Sequence, residues 1–388
     1  MKLVWASLCF IIVWISLTSE AQSSIPANPD LVRVRVMTTI EKVQVSGLSL
    51  RFHNIAQTIL PVAIPQTKYA HVRSITKDGK KVWAVRLDNQ ENERLLSEKY
   101  LLIQGSDLRI GAQTLPGKVL LSHNGKNKID VVGVMPLDEY VVGVLASEMP
   151  LSWPMETLKA QAVAARSYAL SVMNERKTQA FHLESSILDQ VFRHVVHEDN
   201  NDPMIKKAVQ AVKETSGIKL YAQTGRVLKA YFHSDCGGKT TAAQNVWGPG
   251  TTASSGVAVD SSCPTNPSAH WKLSLSKDEL SRRLKVADIS GLDLIKVPSE
   301  KRIKAVRLAF NETEGKTVSV NDFRQLLGFQ DLRSSLFEIK RIGERFLFEG
   351  QGFGHGVGLC QWGSRALGKG GKNYNQILKH YYPLAVLR

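Results

Sequence analysis

The run Met135-Pro136-Leu137-Asp138-Glu139-Tyr140-Val141-Val142-Gly143-Val144-Leu145-Ala146-Ser147-Glu148-Met149-Pro150 marks the point where the chain changes character. Pro136 suits the first turn of a helix, and Asp138 and Glu139 suit the positive end of its dipole. Met149-Pro150 predicts the stop, because proline lacks the N–H donor and restricts the residue before it. A second, longer helix is predicted from Trp153-Pro154 to about Asn174. Its Ala160, Ala162, Ala164, Ala165 and Ala169 favour helix and allow close packing. This central helical pair separates two strand-rich stretches, so the elements are segregated and the fold class is α+β.

Upstream, Val32, Val34 and Val36 alternate with Arg33, Arg35 and Met37, and the apolar pattern continues to Leu50 across a break at Gly47. Further strands are predicted at Tyr69–Ile75, Lys81–Leu87 and Lys118–Ser122, with turns at Asp78-Gly79 and Asn124-Gly125. Downstream, strands are predicted at Gly225–Phe232 and Arg302–Phe310. Short helices are predicted at Lys277–Leu284, Asn321–Leu327 and Tyr374–Tyr381. The expected division is a signal peptide over 1–21, a β-rich N-terminal domain over 22–130 and an α+β domain over 131–388.

The signal peptide rests on Lys2, the apolar stretch Leu3 to Leu17 and the small-x-small pattern Ser19-Glu20-Ala21. An uncleaved anchor needs a longer apolar run, and no internal run reaches the roughly 20 residues of a bilayer span. The mature protein is therefore expected in the periplasm or cell envelope, with no membrane-spanning segment. With 43% hydrophobic residues in 388, the chain can bury a core, which excludes a disordered tail protein. A net charge of +15 points to a polyanionic partner. Export argues against nucleic acid as that partner.

Glu148 is the most informative residue. Val141, Val144, Leu145 and Glu148 stand at i, i+3, i+4 and i+7, one face of the first helix. A carboxyl on an apolar stripe loses water, its pKa rises, and it can then donate a proton near neutrality. The alternative is a carboxylate paired with Arg166. Asp138 fits a capping role. Tyr231-Phe232-His233-Ser234-Asp235-Cys236-Gly237-Gly238 resembles a Ser/His/Asp set, but neighbours on a strand point to opposite faces, and a strand-end turn is the competing reading. Gly350, Gly352, Gly354, Gly356 and Gly358 alternate around His355, as in a strand approached closely by backbone or an extended ligand. His355 then either reaches a ligand or serves the structure. After signal removal the cysteines are Cys236, Cys263 and Cys360. A Cys236–Cys263 disulfide and a zinc site of His233, Cys236 and Cys263, with Cys360 or water, both fit.

Three motifs in order resemble the stage II sporulation protein D (SpoIID/LytB) family. The first runs from Leu137 to Pro150 and on through Trp153-Pro154 to Tyr168-Ala169. The second is Tyr231 to Gly238 followed by Asn245-Val246-Trp247-Gly248. The third is Gly354-His355-Gly356-Val357-Gly358-Leu359-Cys360-Gln361-Trp362-Gly363, with His380-Tyr381-Tyr382-Pro383 near the end. The resemblance implies a peptidoglycan lytic transglycosylase acting on glycan strands stripped of stem peptides, with Glu148 as acid and then base. It implies that His233, Ser234, His355 and Gln361 line the glycan groove and that Arg166 orients substrate or the acid. Some relatives are amidase enhancers, so a non-catalytic glycan-binding partner of a peptidoglycan amidase is the alternative. Cys360 stands where many relatives carry Ser. Relatives with a Cys-x-x-Cys whose first member would fall at Asp260 can carry zinc; that cysteine is absent here, so no metal or cofactor is assigned.

Overall fold

The structure is a computed structural model. It describes residues 30–388 except 55–59, 61–67, 89, 126, 196–200, 250, 252–265, 268 and 299. The expected signal peptide and Cys263 lie outside the described residues, so the Cys236–Cys263 pairing does too.

The first part of the chain is a large antiparallel sheet. Its strands are β1 (Leu31–Ile40), β2 (Lys42–His53), β3 (Tyr69–Lys77), β4 (Lys80–Leu87), β5 (Arg94–Leu96), β6 (Tyr100–Ile110), β7 (Gln113–Thr114), β8 (Lys118–Asn124) and β9 (Lys128–Pro136). The turn between β3 and β4 places both Asp78 and Gly79 at positive φ, the pairing that matches the twist of a two-residue hairpin. Alternate residues such as Val43, Val45, Leu50, Phe52 and Trp83 bury one core. The expected boundary at residue 130 falls inside β9, which runs directly into helix α1 (Leu137–Glu148).

Helix α2 (Met155–Glu175) is the centre of the molecule. Ala162, Ala165 and Ala169 pack with α1, β1 and β9, whereas Ala160, Val163 and Ala164 pack on the opposite side with the C-terminal segment. A helix apolar all round is a buried helix, and alanine lets its neighbours come close. Strand β10 (Leu183–Glu184) then adds to the sheet beside β1, in parallel, giving the order β10-β1-β9-β8-β6-β2-β3-β4-β5 with β7 on β6. Helix α3 (Pro203–Glu214) packs on α1 and α2. Its start carries Asp202 as N-cap and Pro203 in the first turn, signals present in the sequence though no helix was expected there.

The strand expected at Gly225–Phe232 is not formed. After β11 (Leu220–Tyr221) the chain turns at Gly225, and Leu228 and Ala230 are drawn into the core beneath α2. Only β12 (Phe232–His233) is extended and paired. Helix α4 (Gln244–Trp247) follows. A further α+β layer comprises β13 (His270–Ser276), α5 (Lys277–Leu284), β14 (Gly291–Lys296), β15 (Ile303–Ala309), β16 (Gly315–Ser319), α6 (Val320–Leu327), β17 (Phe337–Ile342) and β18 (Arg345–Gln351). It is arranged as β13-β18-β17 and β14-β15-β16 around Phe323, Phe337 and Phe348. The chain closes with β19 (Leu359–Cys360), α7 (Gln361–Lys369), α8 (Tyr374–Tyr381) and β20 (Val386–Leu387). The molecule is α+β throughout. No helix among the described residues is long and apolar enough to cross a membrane.

Candidate active site

The C-terminal end of α1 opens into a cleft of about 450 Å³. Glu148, the last residue of α1, lines it together with His233, Ser234, His355 and Gln361, so five of the six residues singled out from sequence converge. The sixth, Arg166, is elsewhere. It is buried on the far face of α2, where Nε donates to Asp138 Oδ1 at 2.9 Å and a terminal nitrogen donates to the Val212 carbonyl at 3.2 Å. Its place is set by helix phase: that face of α2 meets the start of α1 and the end of α3. Asp138 correspondingly does not cap α1. It holds Arg166 and accepts from Ser216 Oγ at 2.8 Å.

Glu148 is therefore not paired with Arg166. Val141, Val144 and Leu145, on its face of α1, are buried. Burial pushes the Glu148 carboxyl up from 4.5 to about 7, and hydrogen bonding from the Val191 N–H and the approach of the Gln361 carboxamide moderate the rise. The Val191 N–H donates to Oε1 at 2.7 Å.

That donor is held by a segment the sequence reading missed. Asp189 accepts from Tyr168 Oη at 3.1 Å and from Arg176 at 2.7 Å. Gln190 accepts from Tyr140 Oη at 2.8 Å and donates to the Ala165 carbonyl at 3.3 Å. The segment comes this close because residue 143 is glycine: a Cβ there would lie 2.4 Å from the Arg193 carbonyl oxygen and 2.5 Å from the Phe192 ring.

Asp189 also lines the cleft. Both of its oxygens are engaged, Oδ2 by Arg176 and the Glu184 N–H and Oδ1 by Tyr168 and Arg176. Glu148 is thus the one cleft carboxyl among the described residues with a raised pKa.

The opposite wall is built by the two glycine-bearing motifs. The chain after β18 is not a strand: Gly352, Gly354, Gly356 and Gly358 all have positive φ, so the loop coils where an extended segment was expected. The expected close backbone approach is real. A Cβ at Gly358 would lie 2.0 Å from the Tyr231 carbonyl oxygen. The loop thereby presents His355 to the cleft beside His233, with ring centroids 5.3 Å apart.

Nδ1 of His355 accepts from the Val357 N–H at 3.0 Å. Burial and the neighbouring His233 and Arg324 push its pKa well below the usual histidine value, so it is neutral. A ring that is neutral and already accepting a backbone N–H is a wall residue rather than an acid. Trp247 stacks on Tyr231 at 4.3 Å and 23° and stands 5.1 Å from His355, forming an aromatic patch that sequence reading did not assign to the site. Asn321 and Arg324 of α6 and Phe329 close the rim. Asp235 accepts from the Gly237 N–H and from Asn266 Nδ2 at 2.7 and 2.5 Å. It holds the turn and does not face His233 as a triad would require.

Comparison with known proteins agrees with this geometry. Residues 125–221 match the family described as stage II sporulation protein (SpoIID), and residues 265–358 match a domain of unknown function (DUF8618). The chain is 31% identical over 254 residues to an uncharacterized protein of Brachyspira hyodysenteriae, covering 65% of this chain and 66% of that one. It is 30% identical over 284 residues to the stage II sporulation protein D of Bacillus subtilis, covering 70% of this chain and 80% of that one. It is also 26% identical over 295 residues to an amidase enhancer of Bacillus subtilis, covering 62% of this chain but 39% of the relative.

Proposed function

The chain belongs to the stage II sporulation protein D family, and from that premise we propose that it is an exported lytic transglycosylase of peptidoglycan. Its substrate would be glycan stripped of stem peptides, cut between N-acetylmuramic acid and N-acetylglucosamine. One observation carries the reading: a single carboxyl, Glu148, with a pKa near 7, faces a cleft walled by stacked aromatic rings. A protonated carboxyl at neutral pH can give its proton to the glycosidic oxygen as the bond from C1 breaks. The resulting carboxylate then takes the proton of the same sugar's 6-hydroxyl, whose oxygen attacks C1 and closes a 1,6-anhydro ring. Glu148 ends the cycle protonated. Because the nucleophile belongs to the substrate, the paired carboxylates of an ordinary glycosidase are not needed. The tied oxygens of Asp189 fit this economy of acids. Trp247 and Tyr231 offer faces on which a sugar ring can stack, and Gln361 and Ser234 offer polar contacts.

The test is peptide-free glycan incubated with the protein and read by mass spectrometry for anhydromuramic ends. Wild type should produce them. Glu148→Gln should lose about 10²–10⁴-fold in rate, the range general acid catalysis supplies. Because the acid form starts the reaction, kcat/KM should fall as pH rises through about 7. Reducing ends in place of anhydro ends would make it a hydrolase. The likeness to an amidase enhancer favours one alternative, glycan binding that stimulates a peptidoglycan amidase. Under that reading no anhydro product forms, and Glu148→Gln stimulates the amidase as well as wild type does.

A further inference from the structure

We propose that His233, Cys236 and Cys360 bind a zinc ion that pins the floor of the cleft. The Nε2 or Nδ1 atom of His233 and the two sulfurs lie within 4.8 Å of one another, and all three residues are buried. A tetrahedral ion with bonds of about 2.3 Å to sulfur and about 2.0 Å to nitrogen needs ligand separations of roughly 3.5–3.8 Å, which small side-chain adjustments supply.

The trio is assembled by the fold. Strands β12 and β19 pair in parallel with His233 opposite Cys360, and the turn at Gly237 keeps Cys236 beside them. The chemistry of each ligand is prepared. His233 Nδ1 lies 3.1 Å from the Val357 carbonyl, an acceptor only, so the proton sits on Nδ1 and the lone pair on Nε2. A backbone carbonyl holding the far nitrogen of a metal-ligating histidine is the usual outer-shell arrangement. Cys360 is the N-cap of α7, and its sulfur accepts the N–H of Gly363 at 3.4 Å and of Cys236 at 3.3 Å. Backbone donors and the positive helix end favour the thiolate. The buried Arg302, bonded to the Lys239 carbonyl at 2.8 Å and facing both sulfurs, favours it further. Two thiolates and an imidazole select zinc over magnesium or calcium. The fourth position goes to water or a further ligand.

This site lies behind the cleft and is independent of the transglycosylase reading. Ser234 follows His233 and Gln361 follows Cys360, so an ion here would fix the positions of two cleft-lining residues at once. It departs from the sequence-based expectation, which assigned no metal.

The experiment is metal analysis of the full mature chain purified without chelator, then cobalt substitution of the wild-type protein. The expected result is one equivalent of zinc per chain. Cobalt in its place should give a thiolate-to-metal charge-transfer band and the visible bands of a tetrahedral site. Chelation should lower the melting temperature, and Cys360→Ser should weaken the charge-transfer band or, if it cannot fold, leave the wild-type spectrum to decide. The proposal is overturned if saturated wild type holds no metal, if the cobalt spectrum lacks thiolate bands, or if mass spectrometry finds a Cys236–Cys360 disulfide.

Discussion

At Glu148 two opposing influences meet: carbon neighbours that disfavour its charge and one backbone N–H that favours it, with burial the larger. The consequence for stability has a definite sign. Well below pH 4.5 the carboxyl is protonated in both folded and unfolded chains and costs nothing. Above about 7 it is ionised in both, and the folded chain alone bears the desolvation. Glu148→Gln should therefore melt with wild type in acid and above it in alkali, by on the order of 2–3 kcal/mol at most. Calorimetry at both ends of the range checks this, and equal melting in alkali would mean the carboxyl is not desolvated. Glu148 was legible because an acid on an apolar helical stripe is anomalous. Arg166 misled for a related reason: a charged residue on a helix announces function only if its face meets the cleft, and its face meets Asp138 and α3.

At the scale of elements, the sequence pointed to α1, α2, α5, α6 and α8 through turns, proline stops and apolar spacing. It did not point to α7, which holds Gly363 and Gly368 and has a poor intrinsic propensity. Packing explains the exception: Gly368 sits where a Cβ would lie 2.5 Å from Thr157 Oγ1, so glycine is what lets α7 dock on α2. Gly143 does the same for the 189–193 segment. Gly143→Ala should push that segment away and weaken the Val191 donor to Glu148, since the added carbon meets a carbonyl at 2.4 Å. The expected result is a loss of transglycosylase activity together with an alkaline shift of its pH profile, because the lost N–H stabilised the charged form. Activity lost without a shift would separate simple destabilisation from repositioning of the acid.

Over the whole molecule, the charge acquires a specific use. Stripped glycan carries a free lactyl carboxylate on each muramic residue, and a chain of net charge +15 would attract such a polyanion. Raising salt from about 0.1 M to about 1 M shortens the screening length from roughly 10 Å to 3 Å. KM for stripped glycan should rise across that range while kcat holds; an unchanged KM would remove charge steering from the account. The sequence by itself determined the segregated α+β class, the helical pair and the anomalous acid, because those follow from local propensity and from periods of 2.0 and 3.6 residues. Only the tertiary structure decided that Asp189-Gln190-Val191 positions the acid, that Trp247 and Tyr231 wall the cleft, and that His233 meets Cys360. Those residues are joined by close backbone packing and strand pairing between segments more than a hundred positions apart, as His233 and Cys360 are. No local pattern along the chain encodes that proximity.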